Sequence, residues 1–150
     1  MATGSTIVVE VPSNKIGKTY QFPKEENEFE TPSFTIPEGT KFIEVYHHFD
    51  GYPKGLGAEL TKEHTDFDEI MTNVIAGGDM SAIGTPYHAW RNEEWEDVQP
   101  KCLEEIPNRR EAYQYLFKAG DNRWYVRGDK TGFKKVSEVL SADFDPKAEK

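Results

Sequence analysis

Cysteine is almost missing from this chain. Cys102 stands alone among 150 residues, so no internal disulfide can form, and a reducing compartment such as the cytosol is the expected setting. Long apolar runs are missing as well. No stretch approaches the ~20 residues that cross a bilayer, so no membrane partner is expected. The opening Met1-Ala2-Thr3-Gly4-Ser5 lacks a basic patch followed by an apolar stretch, so no secretory leader is read there. Positive charge is scarce: 18 Lys and Arg face 27 Asp and Glu, for a formal charge of −9. A phosphate backbone repels such a surface, because nucleic-acid affinity comes largely from Lys and Arg displacing counterions. Direct nucleic-acid binding is therefore not expected.

What is present describes a folded domain. Aromatic residues make up 13% of the chain, too many for a disordered segment. The length suits one domain with a core that needs no disulfide or metal staple. Residues 1–40 read as short strands and loops broken by Pro12, Pro23, Pro32 and Pro37. Residues 41–142 form the body of the domain, and 143–150 a frayed tail. In 41–50, period two sets Ile43, Val45, His47 and Phe49 on one face and Phe42, Glu44, Tyr46, His48 and Asp50 on the other. Phe67, Ile70, Met71, Val74 and Ile75 repeat at helical spacing, opened by capping oxygens at Thr65 and Asp66 and closed by Gly77-Gly78. Residues 110–118 and 123–127 read as a β-hairpin, and Phe133, Val136, Val139 and Leu140 as a short helix. The fold class expected from this order is α+β: a single domain with a mostly antiparallel sheet, one main central helix and a short C-terminal helix. The 6–11 run reads as an exposed edge through which a homodimer would pair.

The densest chemistry lies in Tyr46-His47-His48-Phe49-Asp50-Gly51-Tyr52-Pro53-Lys54-Gly55-Leu56-Gly57. A strand leading through such a turn into a helix gathers main-chain N–H groups at an electropositive helix start. His48, Asp50, Tyr52, Lys54, Gly55 and Gly57 are thus candidates for holding a small anionic, nucleotide-like ligand. The alternative is a tight turn whose glycines only satisfy geometry. Neither a Walker loop nor a dinucleotide fingerprint is complete, so no cofactor is expected. His48 and Asp50 share a strand face and could serve a small metal-dependent hydrolase, with a further ligand from His64, His88 or an acidic residue. Cys102 lacks an evident base and makes a poor nucleophile candidate. A second surface, acidic and aromatic, runs through Trp90, Glu93, Glu94, Trp95 and Glu96 and suits docking on a host protein.

The stretch from Tyr46 to Leu60 resembles the Tyr-x-His-x-Asp-Gly-Tyr-Pro-x-Gly-x-Gly-x-x-Leu signature of a group of small bacterial and bacteriophage proteins with no assigned activity. Tyr113-Gln114-Tyr115 and Trp124-Tyr125-Val126 match two later strands of that group. The resemblance covers residues 41–75 and 110–140 and leaves the front forty outside. The position of Phe49 is often Trp in that group. The resemblance implies a phage or prophage origin and a shared fold, and it carries over no catalytic residue. The combined expectation is a non-enzymatic accessory binding protein in the bacterial cytosol, with the metal hydrolase as its rival.

Overall fold

In this computed structural model the described residues are 3–23, 33–86, 99–108, 111–128 and 132–141. Ten strands are described: β1 (Ser5–Glu10), β2 (Thr19–Gln21), β3 (Ser33–Thr35), β4 (Phe42–His47), β5 (Met80–Ala82), β6 (Thr85–Pro86), β7 (Lys101–Leu103), β8 (Tyr113–Lys118), β9 (Arg123–Gly128) and β10 (Lys134–Lys135). Eight of them form one sheet in the order β10-β9-β8-β1-β4-β5-β6, with β7 also on β4. The small β2–β3 ribbon stands apart.

The sheet is mixed, which corrects the mostly antiparallel architecture expected above. β1 pairs antiparallel with β4 and parallel with β8, and β4 pairs parallel with β5. Among the described residues there is no main central helix either. A wide-turned stretch, Pro53–Gly57, runs into α1 (Ala58–Glu63), and after a break α2 (Phe67–Ile70) runs into the wide-turned Met71–Ile75. The break has a local cause. Asp66 is extended (φ −119°, ψ 134°) and its carboxylate accepts the Glu69 N–H at 3.1 Å, so a new helix starts there instead of the old one continuing. The Trp124 indole N–H fixes the corner by donating to the His64 carbonyl at 2.6 Å. Val136–Ser141 forms the last helix, α3.

Burial explains why β1 is no edge. Ser5, Thr6, Ile7, Val8 and Val9 are all buried, on both faces of the strand, as befits a central position. A homodimer built on that strand therefore has no edge to use. Its β-branched side chains suit a pleat packed from both sides. On one face Ile7, Ile43, Val45, Tyr115, Phe117 and Val126 meet Leu56, Leu60, Phe67, Ile70, Met71 and Val74 from the helical stretches. The apolar stripe of 67–75 is the helical side of that core. On the other face the Pro107 carbonyl accepts from the Gln114 amide at 3.0 Å and the Arg127 guanidinium at 2.8 Å. The front of the chain is tied to α2 by Asp68, which takes the Lys15 ammonium at 2.8 Å and the Tyr20 hydroxyl at 2.6 Å.

Among the described residues, no helix is long and apolar enough to cross a membrane.

Candidate functional site

β4 leads straight into the glycine-rich turn. The strand ends at His47, but its backbone keeps pairing for two residues: the His48 and Phe49 N–H groups donate to the Met80 and Ser81 carbonyls at 3.0 and 2.9 Å. Asp50 then adopts a left-handed φ of 54°, which turns the chain away from the sheet. Two successive N–H groups bonding to the same neighbour break the strand alternation, and Phe49 stands in solvent instead of on the core face. Pro53 starts the helical stretch, where its fixed φ and missing N–H are harmless.

The main chain of this turn is bonded inward. Gly51 donates to the Thr3 carbonyl at 2.9 Å, and its own carbonyl accepts the Tyr115 hydroxyl at 2.6 Å. Leu56 N–H meets the Asp50 carbonyl at 2.8 Å. Gly55 N–H meets the Tyr52 carbonyl at 2.9 Å, and the Gly57 N–H faces the same oxygen at 3.5 Å. The expected amide cradle is thereby corrected. Gly55 and Gly57 spend their donors on the chain itself, and Gly57 is buried against Tyr115 and Val136. Their glycine character has the same origin. A Cβ on Gly55 would stand 2.6 Å from the Asp50 carbonyl oxygen, and one on Gly57 would stand 3.2 Å from Tyr115 Cε1. The close approach that glycine permits is to this protein's own backbone and rings.

The side chains behave oppositely. Phe49 and Tyr52 are 46% and 41% exposed, the large hydrophobics that stand in solvent among the described residues. Asp50 and Lys54 are exposed beside them, and His48 is half-buried. The His48 ring lies edge-on to Phe49, with centroids 4.7 Å apart, and its Nδ1 shares a 2.9 Å hydrogen bond with the Tyr46 hydroxyl. Of the six residues expected to hold a ligand, Asp50, Tyr52 and Lys54 are exposed and His48 half-buried, while Gly55 and Gly57 bond within the chain.

Among the described residues the hydrolase arrangement does not assemble. Past His47 there is no regular strand face for His48 and Asp50 to share, and His64 is held by Glu69 at 2.6 Å. Among the described residues no three His, Cys, Asp or Glu stand together as a metal-binding group. His88 and the surface at Trp90, Glu93, Glu94, Trp95 and Glu96 lie outside the described residues, as does the 143–150 tail.

Strand alternation sets His47 on the inward face, apart from His48, and gives it no role. It is 2% exposed, and neither ring nitrogen has a hydrogen-bond partner among the described residues. Burial lowers its pKa to about 4, against a smaller upward pull from Asp50. An apolar alternation in 43–47 signalled its inward direction, but nothing signalled its lack of partners. Alternation marks Tyr115 as a buried strand residue, but nothing local signals that its hydroxyl clamps Gly51 from 64 positions away.

No protein-family model, curated protein or solved structure matches this chain.

Proposed function

We propose that this chain is a non-enzymatic binding protein that docks on a partner protein through the outward side chains of turn 48–54. The observation carrying this reading is the exposure of Phe49 and Tyr52 together on a turn whose main chain is bonded inward. Aromatic anchors held on a rigid backbone lose little conformational freedom on binding and contribute much of an interface's energy. His48, Asp50 and Lys54 supply a polar rim around them. The charge of −9 favours a basic partner and a salt-sensitive encounter rate. The signature resemblance fits a phage or prophage accessory factor acting on a host protein in the bacterial cytosol.

A second reading keeps the small anionic ligand but assigns it to side chains alone. The His48 ring packs edge-on to the exposed Phe49 ring, and Lys54 is exposed two positions past the exposed Tyr52, which is the observation in its favour.

Photo-crosslinking in host lysate separates these readings. A photoreactive residue at Tyr52 is expected to give one discrete protein adduct, lost when Phe49→Ala is added, while the same probe at the exposed Lys62 gives none. Adducts that are equal at both positions, or that survive Phe49→Ala, would contradict protein docking. A nucleotide retained in the native mass spectrum and lost with Lys54→Glu would support the small-ligand mode instead.

A further inference from the structure

A wide cleft of about 740 Å³ opens at one end of the sheet. β1 runs from Ser5, beside Gly51, to Glu10 in the cleft, so turn 48–54 and the cleft lie at opposite ends of the central strand. The parallel register of β1 with β8 brings both carboxyl ends here, at Glu10 and at Ala119 just past β8, and β4 begins beside them. Where neighbouring parallel strands end together and their chains turn away, a crevice opens, and open sheets commonly hold ligands there. The volume falls within the ~300–1,000 Å³ of sites for small molecules.

The lining is apolar with a few polar groups. Val11, Pro12, Ile16 and Phe42 supply the apolar surface, and the last three are half-buried. A Cβ on Gly39 or Gly120 would meet nothing within 4 Å, so the cleft is open at both glycines. Two opposite charges decide the chemistry. Glu10 and Lys41 both line the cleft, yet no ion pair joins them, and neither has another ionic partner among the described residues. The register explains their separation. Glu10 stands opposite Phe42, and the Val11 N–H bonds to the Lys41 carbonyl at 2.9 Å, so alternation directs Glu10 and Lys41 to opposite faces of the sheet end. The Glu10 carboxylate is held in place. Its Oε1 accepts the Ala119 N–H at 3.0 Å, which leaves Oε2 for a further donor. Ser13 and Thr40 add hydroxyls to the lining.

We infer that this cleft holds a small zwitterion of the amino-acid type, with its ammonium on Glu10, its carboxylate on Lys41 and its apolar side chain against Pro12, Ile16 and Phe42. A ligand of one charge leaves either Glu10 or Lys41 unanswered, whereas a zwitterion that reaches over the sheet end meets both with charge-assisted hydrogen bonds. The inference goes beyond the binding role of the turn and does not depend on it.

Amide chemical shifts of the full chain read the site. Millimolar L-phenylalanine and the dipeptide leucylphenylalanine are expected to shift the Thr40, Phe42 and Gly120 resonances and to leave those of turn 48–54 in place. N-acetylphenylalanine lacks the ammonium and phenylalaninamide lacks the carboxylate, so each should need about tenfold more. Glu10→Gln keeps an oxygen for the Ala119 N–H and is expected to remove the preference over N-acetylphenylalanine. Lys41→Gln should remove the preference over phenylalaninamide. Gly120→Leu fills the open space and should abolish the shifts in a protein that melts like the native one. Should that variant fail to fold, the two charge variants decide. No shift with either zwitterion, equal shifts from the blocked forms, or preferences unchanged by Glu10→Gln and Lys41→Gln would overturn the site.

Discussion

Gly51→Ala is expected to destabilise the fold by roughly 3–5 kcal/mol, a large share of the ~5–15 kcal/mol that holds a typical domain together. The reason is contact with fixed atoms. A Cβ on Gly51 would stand 2.6 Å from the Thr3 carbonyl oxygen and 2.8 Å from both Cβ and Oγ of Ser5. Thr3 lies ahead of the first strand, but Ser5 sits within β1 between β4 and β8 and is held on both sides. Relieving the clash moves the turn outward, which stretches the Gly51 N–H bond to Thr3 and the Tyr115 hydroxyl bond to the Gly51 carbonyl. Each buried group so abandoned costs about 1–3 kcal/mol. Gly120→Ala is the control, since nothing lies within 4 Å of a Cβ there. Urea midpoints of the two variants make the comparison. A Gly51→Ala variant as stable as Gly120→Ala would mean that the turn is not clamped.

Acid is expected to weaken the native protein through His47. Its folded pKa is about 4, while the ordinary value that applies to the unfolded chain is 6.5. The unfolded chain therefore takes up a proton first as pH falls. The stability contributed by neutral His47 is fully present above about pH 6.5 and is lost progressively on the way down to pH 4. At ~1.4 kcal/mol for each tenfold step, the loss amounts to roughly 3 kcal/mol. Asp79 and Glu59 work the other way, because burial raises their carboxyl pKa and their protonation favours the folded state in the acid range. The comparison with a His47→Leu variant isolates the histidine. Its melting temperature should fall less between pH 6.5 and pH 4 than that of the native protein. At neutral pH it should equal or exceed the native protein in stability, because two buried ring nitrogens without partners disappear. Parallel pH profiles for the two proteins would contradict this account.

The two predictions show which parts of the molecule local patterning reveals. Alternation in 43–47 and in Tyr113, Tyr115 and Phe117 marked buried strand faces, and the 3.6-residue stripe with its Asp66 cap marked the helical stretch 67–75. Such signals arise within a dozen residues and survive in the fold. The parallel pairing of β1 with β8 joins Ser5 to Tyr113 across more than a hundred positions, so no local pattern encodes it, and it turned an expected edge into a central strand. The glycines illustrate a deeper ambiguity. Glycine at 51, 55 and 57 announces that something comes close to the backbone, but a ligand and the chain's own Thr3, Asp50 or Tyr115 leave the same mark. The side chains of the candidate site were legible because their chemistry is unusual for one short turn. Their outward direction was not, since it depends on the left-handed Asp50 and on a clamp from β8.

The reading of turn 48–57 as a closed backbone carrying an open set of side chains is tested most directly by native-state amide hydrogen exchange. The Gly51, Gly55 and Leu56 amides, each bonded to an internal carbonyl at 2.8–2.9 Å, should exchange as slowly as those of β1 and β4 and open only with the core. Exchange of these three amides at the rate of the exposed Gly120 would show the turn's main chain open to solvent, contradicting the clamp and restoring the anion cradle as a live alternative.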